Sequence, residues 1–242
     1  MTTAETRIEK DSMGEMPVPA DVLYGASTQR AVLNFPISGR PVPEAVIKAY
    51  AILKASCATV NNSLGRLSDR RTKDIHDACT LIGGGLSDFG GIARHFPIDI
   101  YQTGSGTSTN MNANEVVANL ACLAHDQPIG KSKDPAWVGD EPEGKGGVHP
   151  NDHVNMGQSS NDTFPTAMNI AVATEIQSKL IPAIEQLEAA LAQKAKAWDH
   201  IVKIGRTHLQ DATPIRLGQV FSGYASQMTH AKARAKQALS TL

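Results

Sequence analysis

Hydrophobic positions recur every three or four residues along most of the chain, the spacing of one face of an α-helix. One such stripe covers residues 46–64 and a second covers 75–82, after Ser68 or Asp69 as a capping residue. A third, shorter stripe covers about 112–124 and follows a polar segment. With only 5% aromatic residues and abundant alanine, the pattern predicts a mainly helical protein.

The two longest stripes lie in the carboxyl-terminal part of the chain. The first covers residues 168–198 and contains Pro182, which predicts a kink or a brief break there. The second follows Pro214 and covers residues 217–239. Two helices of this length bury little against each other alone, so they predict a bundle completed by more helices, from this chain or from other copies.

Two segments lack helical periodicity. Residues 1–40 are rich in proline and glycine and predict an extended, hairpin-forming arm. Residues 126–147 contain three prolines and five glycines, which predicts a long surface loop near a domain border. We expect an amino-terminal domain at residues 1–158, including that loop, and an incomplete helical-bundle domain at 159–242.

The composition argues against several classes of partner and favours one cellular compartment. The 242 residues carry 23 Lys+Arg and 24 Asp+Glu, a net charge of −1, which gives no basic surface for nucleic acid or anionic membrane. No window approaches about eighteen consecutive apolar residues, so no membrane span is expected. The amino terminus lacks the apolar stretch of a secretion signal. Cys57, Cys79 and Cys122 show no paired spacing, and we expect them to be buried small side chains in a reducing cytoplasm.

The first polar segment, residues 102–115, places small hydroxyls and two glycines immediately before a helix. Ser105 and Thr107 at a helix amino terminus could hold an anion without a cation. The segment lacks the Gly-Lys-Ser/Thr of a Walker loop, and Thr109 stands where a dinucleotide-binding motif needs a third glycine. Anion binding and an elaborate helix cap both remain open.

The second polar segment covers residues 149–163. His149 and His153 have a spacing that would suit a metal on a helix, but Pro150 and the following Asn-Asp argue against a helix, and no third ligand has a suitable spacing. The donors of residues 159–161 precede the long helix and suit either a carboxylate or a helix cap.

The third polar segment, residues 203–214, joins the two long helices and includes Thr207 and His208. Histidine is a natural acid or base near neutral pH, although a structural role for His208 is also open. Together the three segments predict a site for a small, multiply charged anion held largely by neutral donors, which suits a dicarboxylate.

In these segments the chain resembles the class II fumarases of the fumarase/aspartase superfamily. The similar segments are residues 11–14, 24–30, 102–116, 149–155, 158–167 and 205–214. The resemblance implies the family's fold, reversible hydration of fumarate to L-malate, and no metal or redox cofactor. His208, Ser160 and His149 favour a fumarase over an aspartase, and aspartate ammonia-lyase is the alternative activity.

The resemblance also assigns roles to individual residues. Six would hold the substrate: Ser105, Thr107, Ser159, Ser160, Asn161 and Thr207. His208 would be the catalytic acid/base group. A second, non-catalytic dicarboxylate site would contain His149, Asn151 and Asp152.

The resemblance further implies a homotetramer whose active sites take residues from three chains. The family's Gly-Ser-Ser-x-Met-Pro-x-Lys-x-Asn loop, which carries the carbon-acid base, is not found in the 242 residues and is expected beyond Leu242. We therefore expect a chain truncated inside a bundle helix and inactive by itself. A catalytically silent fragment that binds dicarboxylates or bundle partners is the other open alternative.

Overall fold

The structure, a computed structural model, describes residues 5–139 and 146–242. The chain forms two compact units, Met1–Ala171 and Val172–Leu242. Helices dominate both units, which confirms the predicted mainly helical fold. The chain passes from the first unit to the second inside one helix, whereas the domain border expected from the sequence, at 158/159, remains a prediction about the protein.

The first unit combines a hairpin with helices. Its regular elements are β1 (Thr6–Asp11), β2 (Gly14–Pro19), α1 (Ala26–Asn34), α2 (Glu44–Ser63), α3 (Asp69–Gly83), α4 (Ile92–His95), α5 (Thr107–Leu123), α6 (Pro135–Val138) and α7 (Ser160–Glu175), whose last residues continue into the second unit. β1 and β2 pair antiparallel from Thr6–Pro19 to Asp11–Gly14, so the predicted hairpin is confirmed there. The expectation of an extended arm was wrong for Ala26–Asn34, which forms α1.

The core of the first unit lies among α2, α3 and α5. The predicted stripes match α2 and α3, and the Ser68 side chain accepts the Arg71 N–H, as expected for a helix cap. Tyr50, Ile75 and Val116 are completely buried in this core. α5 begins five residues before the predicted start, because its first turns carry polar side chains that hide the helical period.

The loop expected at residues 126–147 is more ordered than the sequence indicated. It contains a 3₁₀ turn at Lys131–Lys133 and the short helix α6, and the Trp137 side chain is buried. Residues 140–145 lie outside the described part. Most of residues 126–139 are exposed or partly exposed, as expected for a surface loop, but the buried Trp137 gives the segment an apolar anchor that the prolines and glycines obscured.

Helix α5 is buried on nearly all sides although it carries several polar residues. Glu115 is fully buried, and its carboxylate accepts the N–H groups of Gly25, Ser27 and Thr28 and the Thr28 hydroxyl. The Lys133 ammonium lies 2.8 Å from the same carboxylate. Burial alone raises the pKa of Glu115, but Lys133 and Thr28 outweigh it and hold the pKa below its ordinary value. Glu115 therefore ties the start of α1 and the 131–133 turn to α5.

The second unit contains a helical pair and a hairpin. Its regular elements are a π-helical turn (Ile176–Leu180), α8 (Ile181–Ala197), β3 (Val202–Thr207), β4 (Gln210–Arg216) and α9 (Leu217–Leu239). The irregular turn comes directly before Pro182, which confirms the predicted break. Trp198 and Phe221 pack edge to face, with ring centroids 4.8 Å apart.

The segment at residues 203–214 is an antiparallel hairpin rather than the simple connection expected from the sequence. β3 and β4 pair from Val202–Arg216 to Thr207–Gln210, with an irregularity between Ile204 and Arg206. Most residues of both strands are exposed. A two-stranded ribbon with neither face buried has no reason to alternate hydrophobic and polar residues, so the sequence carried no strand signal.

Within the described ranges, no helix combines the length and apolar character needed to cross a lipid bilayer.

We expect Glu115→Gln to lower the free energy of unfolding by roughly 2–4 kcal/mol. The substitution keeps the side-chain shape but removes the nearer of the two carboxylates beside Lys133, with Glu9 left at 3.7 Å, and gives the start of α1 a weaker acceptor. Urea titration of the purified chain measures the change. Glu44→Gln, on the exposed start of α2, is the matched control and should change stability by less than about 0.5 kcal/mol.

The pH dependence of the unfolding free energy is a second measurement of the role of Glu115. Because folding lowers the pKa of Glu115, its contribution is complete above the ordinary value of 4.5 and is lost as pH falls through the lower folded value. The stability difference between the wild type and Glu115→Gln should therefore shrink below about pH 4.5. A difference that stays constant down to strongly acidic pH would contradict this role.

Candidate functional site

Three hydroxyl groups from two predicted segments form a hydrogen-bonded cluster. Ser105 Oγ lies 2.9 Å from Thr107 Oγ1, and Thr107 Oγ1 lies 2.8 Å from Ser160 Oγ. Thr107 is the first residue of α5 and Ser160 is the first residue of α7, so two helix amino termini meet at this point. We call Ser105, Thr107 and Ser160 the hydroxyl cluster.

Close packing explains why the two helix ends meet there. Gly106 precedes α5 with a φ of 68°, in the left-handed region that favours glycine. A Cβ atom at Gly106 would lie 2.2 Å from ring atoms of Phe164, which belongs to α7. Only glycine therefore allows the start of α5 to approach α7 closely enough for the Thr107–Ser160 hydrogen bond.

The electrostatics of the cluster favour an anion. Partial positive charge accumulates at the first N–H groups of α5 and α7, and hydroxyl groups can donate to a carboxylate. Ser159 precedes α7, and its hydroxyl accepts the Asn161 N–H at 3.3 Å. Ser159 and Asn161 are exposed beside Ser160, with side chains available to a ligand.

Behind the cluster lies a charged residue that the sequence reasoning missed. The side chain of Lys54 on α2 is buried, and its ammonium contacts Asn110, Asn155 and Gln158. Lys54 follows Tyr50 by one helical turn, on the face that the hydrophobic pattern assigned to the core. A charge on an apolar helix face was the signal that could have identified it.

The residues predicted for a second dicarboxylate site lie at another cavity of the first unit. This cavity measures about 300 Å³. It is lined by Lys10, Asp11, Ser12, Ser27, Met111, Lys133, His149 and Asn151. Lys10 and Lys133 bring positive charge to it, and Lys133 comes from the 126–147 segment that was expected to be a surface loop. Asp152 is exposed next to the cavity-lining residues.

The segment that carries His149 corrects one expectation. Pro150–Val154 forms a single π-helical turn, although Pro150 and the Asn-Asp that follows argued against any helix. Proline is tolerated in the first turn of a helix, where its missing N–H would have no partner, so the argument from Pro150 was wrong. His149 precedes the turn and caps it.

The Nδ1 atom of His149 lies beside two groups of Asp152. It is 3.1 Å from the Asp152 N–H, from which it accepts a hydrogen bond, and 3.0 Å from the Asp152 carboxylate. A neutral ring that accepts at Nδ1 carries its proton on Nε2. Burial lowers the pKa of His149, and Lys133 lowers it further against the opposite effect of the Asp152 carboxylate. A neutral His149 can donate one hydrogen bond from Nε2.

Thr207 and His208 lie at the end of the β3–β4 hairpin, in the second unit. Thr207 pairs with Gln210, and His208 and Leu209 form the two-residue turn with φ values of 48° and 62°. Turns with two positive φ values are usually made by Asn-Gly, so a His-Leu turn costs roughly 1–2 kcal/mol per residue. Both residues are exposed, and Leu209 is 92% exposed.

The structure thus brings some of the predicted site residues together. It brings Ser105, Thr107 and Ser160 into direct contact, and it places His149 and Asn151 together at the second cavity. Thr207 and His208 belong to the other compact unit. In the part of the chain that the structure describes, no group of three or more His, Cys, Asp or Glu side chains is arranged to hold a metal ion.

The chain is similar to known proteins that are named as fumarate hydratases, fumarases or fumarate lyases. A class II fumarate hydratase of Campylobacter jejuni is 48% identical over 238 residues, which are 98% of this chain and 48% of that protein. The crystal structure of a class II fumarase from Schistosoma mansoni aligns with a TM-score of 0.80 at 39% identity, over 95% of this chain and 44% of that one. A fumarate lyase:delta crystallin from Brucella melitensis aligns with a TM-score of 0.86 at 38% identity, over 98% and 51%.

The chain spans about half the length of the curated relatives that it matches. The model of the family described as Lyase matches residues 14–242, which is most of the chain. The chain therefore belongs to this lyase family, and the likeness to the amino-terminal portion of class II fumarases that its motifs indicated is confirmed.

Proposed function

We propose that the protein to which this chain belongs catalyses the reversible hydration of fumarate to L-malate. The observation that carries the proposal is the hydroxyl cluster at the amino termini of α5 and α7. Two helix ends and three hydroxyls offer neutral donors to a carboxylate, and such a site needs no basic surface. The relatives named class II fumarate hydratase support the same reaction.

The proposed chemistry divides into binding and proton transfer. Ser105, Thr107 and residues 159–161 would bind the substrate carboxylates, together with Thr207. His208 would move the proton of the water that adds to, or leaves, the substrate, because imidazole titrates near neutral pH. No metal or redox cofactor is part of the proposal.

We further propose that the protein is a homotetramer whose active sites are shared between chains. Leu180, Leu187 and Tyr224, from the second unit, are each close to half exposed, which supports burial against helices of other copies. The exposed His208–Leu209 turn would then lie in the site of a neighbouring chain. A cytoplasmic location is also proposed, and the free, buried thiols of Cys79 and Cys122 support a reducing compartment.

The first test uses the protein expressed from its complete reading frame. It should remove the ultraviolet absorbance of fumarate as malate forms, whereas release of ammonia from aspartate without malate formation would favour the alternative lyase activity. We expect His208→Asn to lower kcat by about 10²–10⁴-fold. We expect Ser160→Ala to raise KM by about tenfold, because one charge-assisted hydrogen bond is lost.

His230→Asn, on the exposed surface of α9, is the control for histidine replacement and should keep wild-type kinetics. Equal kcat values for His208→Asn and His230→Asn would contradict the proposed role of His208.

A second test uses the 242-residue chain alone. We expect negligible hydration of fumarate by this chain, because the family's base-bearing loop is not in its sequence. Mixing it with a separately expressed remainder of the reading frame should restore turnover if the two parts assemble. Turnover by the isolated chain at a rate near that of the whole protein would contradict this division of the site.

The cavity beside His149 is proposed as a second, non-catalytic dicarboxylate site formed by His149, Asn151 and Asp152. Lys133 would add positive charge at that cavity. Calorimetric titration with malate should show two binding events in the wild type, and His149→Asn should remove or weaken one of them by about tenfold. His230→Asn serves as the control. Identical isotherms for His149→Asn and the wild type would contradict the assignment.

A further inference from the structure

Lys54 is a buried cation without a buried anion. Its side chain is 1% exposed, and its Nζ lies 2.7 Å from Asn110 Oδ1, 3.1 Å from Asn155 Oδ1 and 2.7 Å from Gln158 Oε1. These three amide oxygens satisfy the three N–H donors of the ammonium. Among the residues that the structure describes, no carboxylate lies within ion-pair distance of Lys54.

The other titratable groups around Lys54 do not balance its charge. Tyr50 and Cys57 on α2 and Cys79 on α3 face it, and burial raises the pKa of each, to about 12 for Tyr50 and Cys79. All three groups are therefore neutral near pH 7. Asp162, in the first turn of α7, acts electrostatically on Cys57. The remaining polar neighbours of Lys54 are side-chain amides: Asn110 on α5, and Asn155 and Gln158 in the segment after the Pro150–Val154 turn.

A buried ammonium without a balancing anion lowers the stability of the fold when no ligand is bound. Desolvation lowers the pKa of Lys54 to about 7, which means that the ammonium is barely stable where it lies. A lysine that served only to fill space would be replaced by an apolar side chain with a gain in stability. The missing element is a negative charge, and the proposed substrate carries two.

The hydrogen bonds of Lys54 lead directly to the hydroxyl cluster. Asn110 lies one helical turn after Thr107, and Gln158 immediately precedes the segment that contains Ser160. The Gln158 Nε2 donates to the carbonyl oxygen of Val154 at 2.9 Å, which fixes the amide so that Oε1 faces Lys54. One ammonium thus holds both segments whose hydroxyls meet at the cluster.

We propose that Lys54 is the positioning residue of this site: it holds the Thr107 and Ser160 segments together and supplies the buried positive charge that offsets a bound dicarboxylate. The inference rests on the proposed function, because it assumes that the hydroxyl cluster binds a dicarboxylate. Lys54 does not touch the substrate, since amide oxygens occupy its donors. It acts through Asn110 and Gln158 and through its charge.

The test replaces Lys54 by Met in the protein expressed from its complete reading frame. Methionine has a similar length and no charge. The variant loses the desolvation cost of the ammonium but leaves three amide oxygens without a donor, so its melting temperature is measured together with KM to confirm that it is folded in the assay. Its KM for fumarate should rise about tenfold or more, with a smaller change in kcat, because the lost interaction holds substrate and transition state alike. Lys48→Met, on the exposed face of the same helix, is the matched control and should keep wild-type KM.

The outcomes separate this inference from the proposed function. A Lys54→Met protein that folds and keeps the wild-type KM overturns the inference and leaves the proposed function intact. A wild type that neither hydrates fumarate nor binds dicarboxylates overturns the proposed function, and the inference with it. A raised KM in a Lys54→Met protein that is folded at the assay temperature, with unchanged KM in Lys48→Met, supports the inference.

A second measurement needs no variant of Lys54 and covers the case in which Lys54→Met does not fold. An anion near Lys54 favours the ammonium, so binding of succinate at about pH 8 should take up protons from solution. Calorimetry in two buffers of different ionisation enthalpy measures this uptake. Uptake that persists in His149→Asn and in His208→Asn supports the inference, since these variants remove the proposed second site and the proposed catalytic imidazole. Absence of uptake overturns it.

Discussion

Burial of polar side chains on α5 is the constraint on which the rest of the first unit depends. This helix lies in the core, yet Asn110, Asn112, Glu115 and Asn119 are all buried on it. A buried polar group is costly unless it finds a hydrogen-bonding partner, so each of these side chains draws a neighbouring segment to a defined place. Glu115 holds the start of α1, and Asn119 holds both the Leu23 carbonyl and the 130–132 segment.

The same helix connects the folded core to the candidate site. Its buried part is held by the polar network, while its amino terminus reaches the surface with Thr107 exposed. Lys54 and Asn110 lie at the boundary between the two parts, where the network of the core meets the segment that begins α7. Stability and the proposed ligand binding therefore depend on shared side chains at this boundary, where the buried charge of Lys54 is costly to the fold.

Helices were predictable because a long amphipathic helix leaves a local, repeated signal. The stripes at residues 46–64 and 217–239 correspond to α2 and α9, and Pro182 predicted the irregular turn before α8. The β3–β4 hairpin left no such signal, since neither of its faces is buried within the chain. Trp137 gave a single apolar position, which has no period, so the order around it was not visible in the sequence.

The chemistry of the candidate site follows from the sequence: neutral hydroxyl and amide donors before helices, His208 as a candidate acid or base, and motifs similar to those of class II fumarases. Which of these groups meet depends on the tertiary structure. The contact between Thr107 and Ser160 joins residues 53 positions apart, and it depends on Gly106 passing close to Phe164. The proposed role of Lys54 depends on the tertiary structure for the same reason, because burial and amide partners that are distant in sequence leave an ordinary helix lysine without a balancing charge.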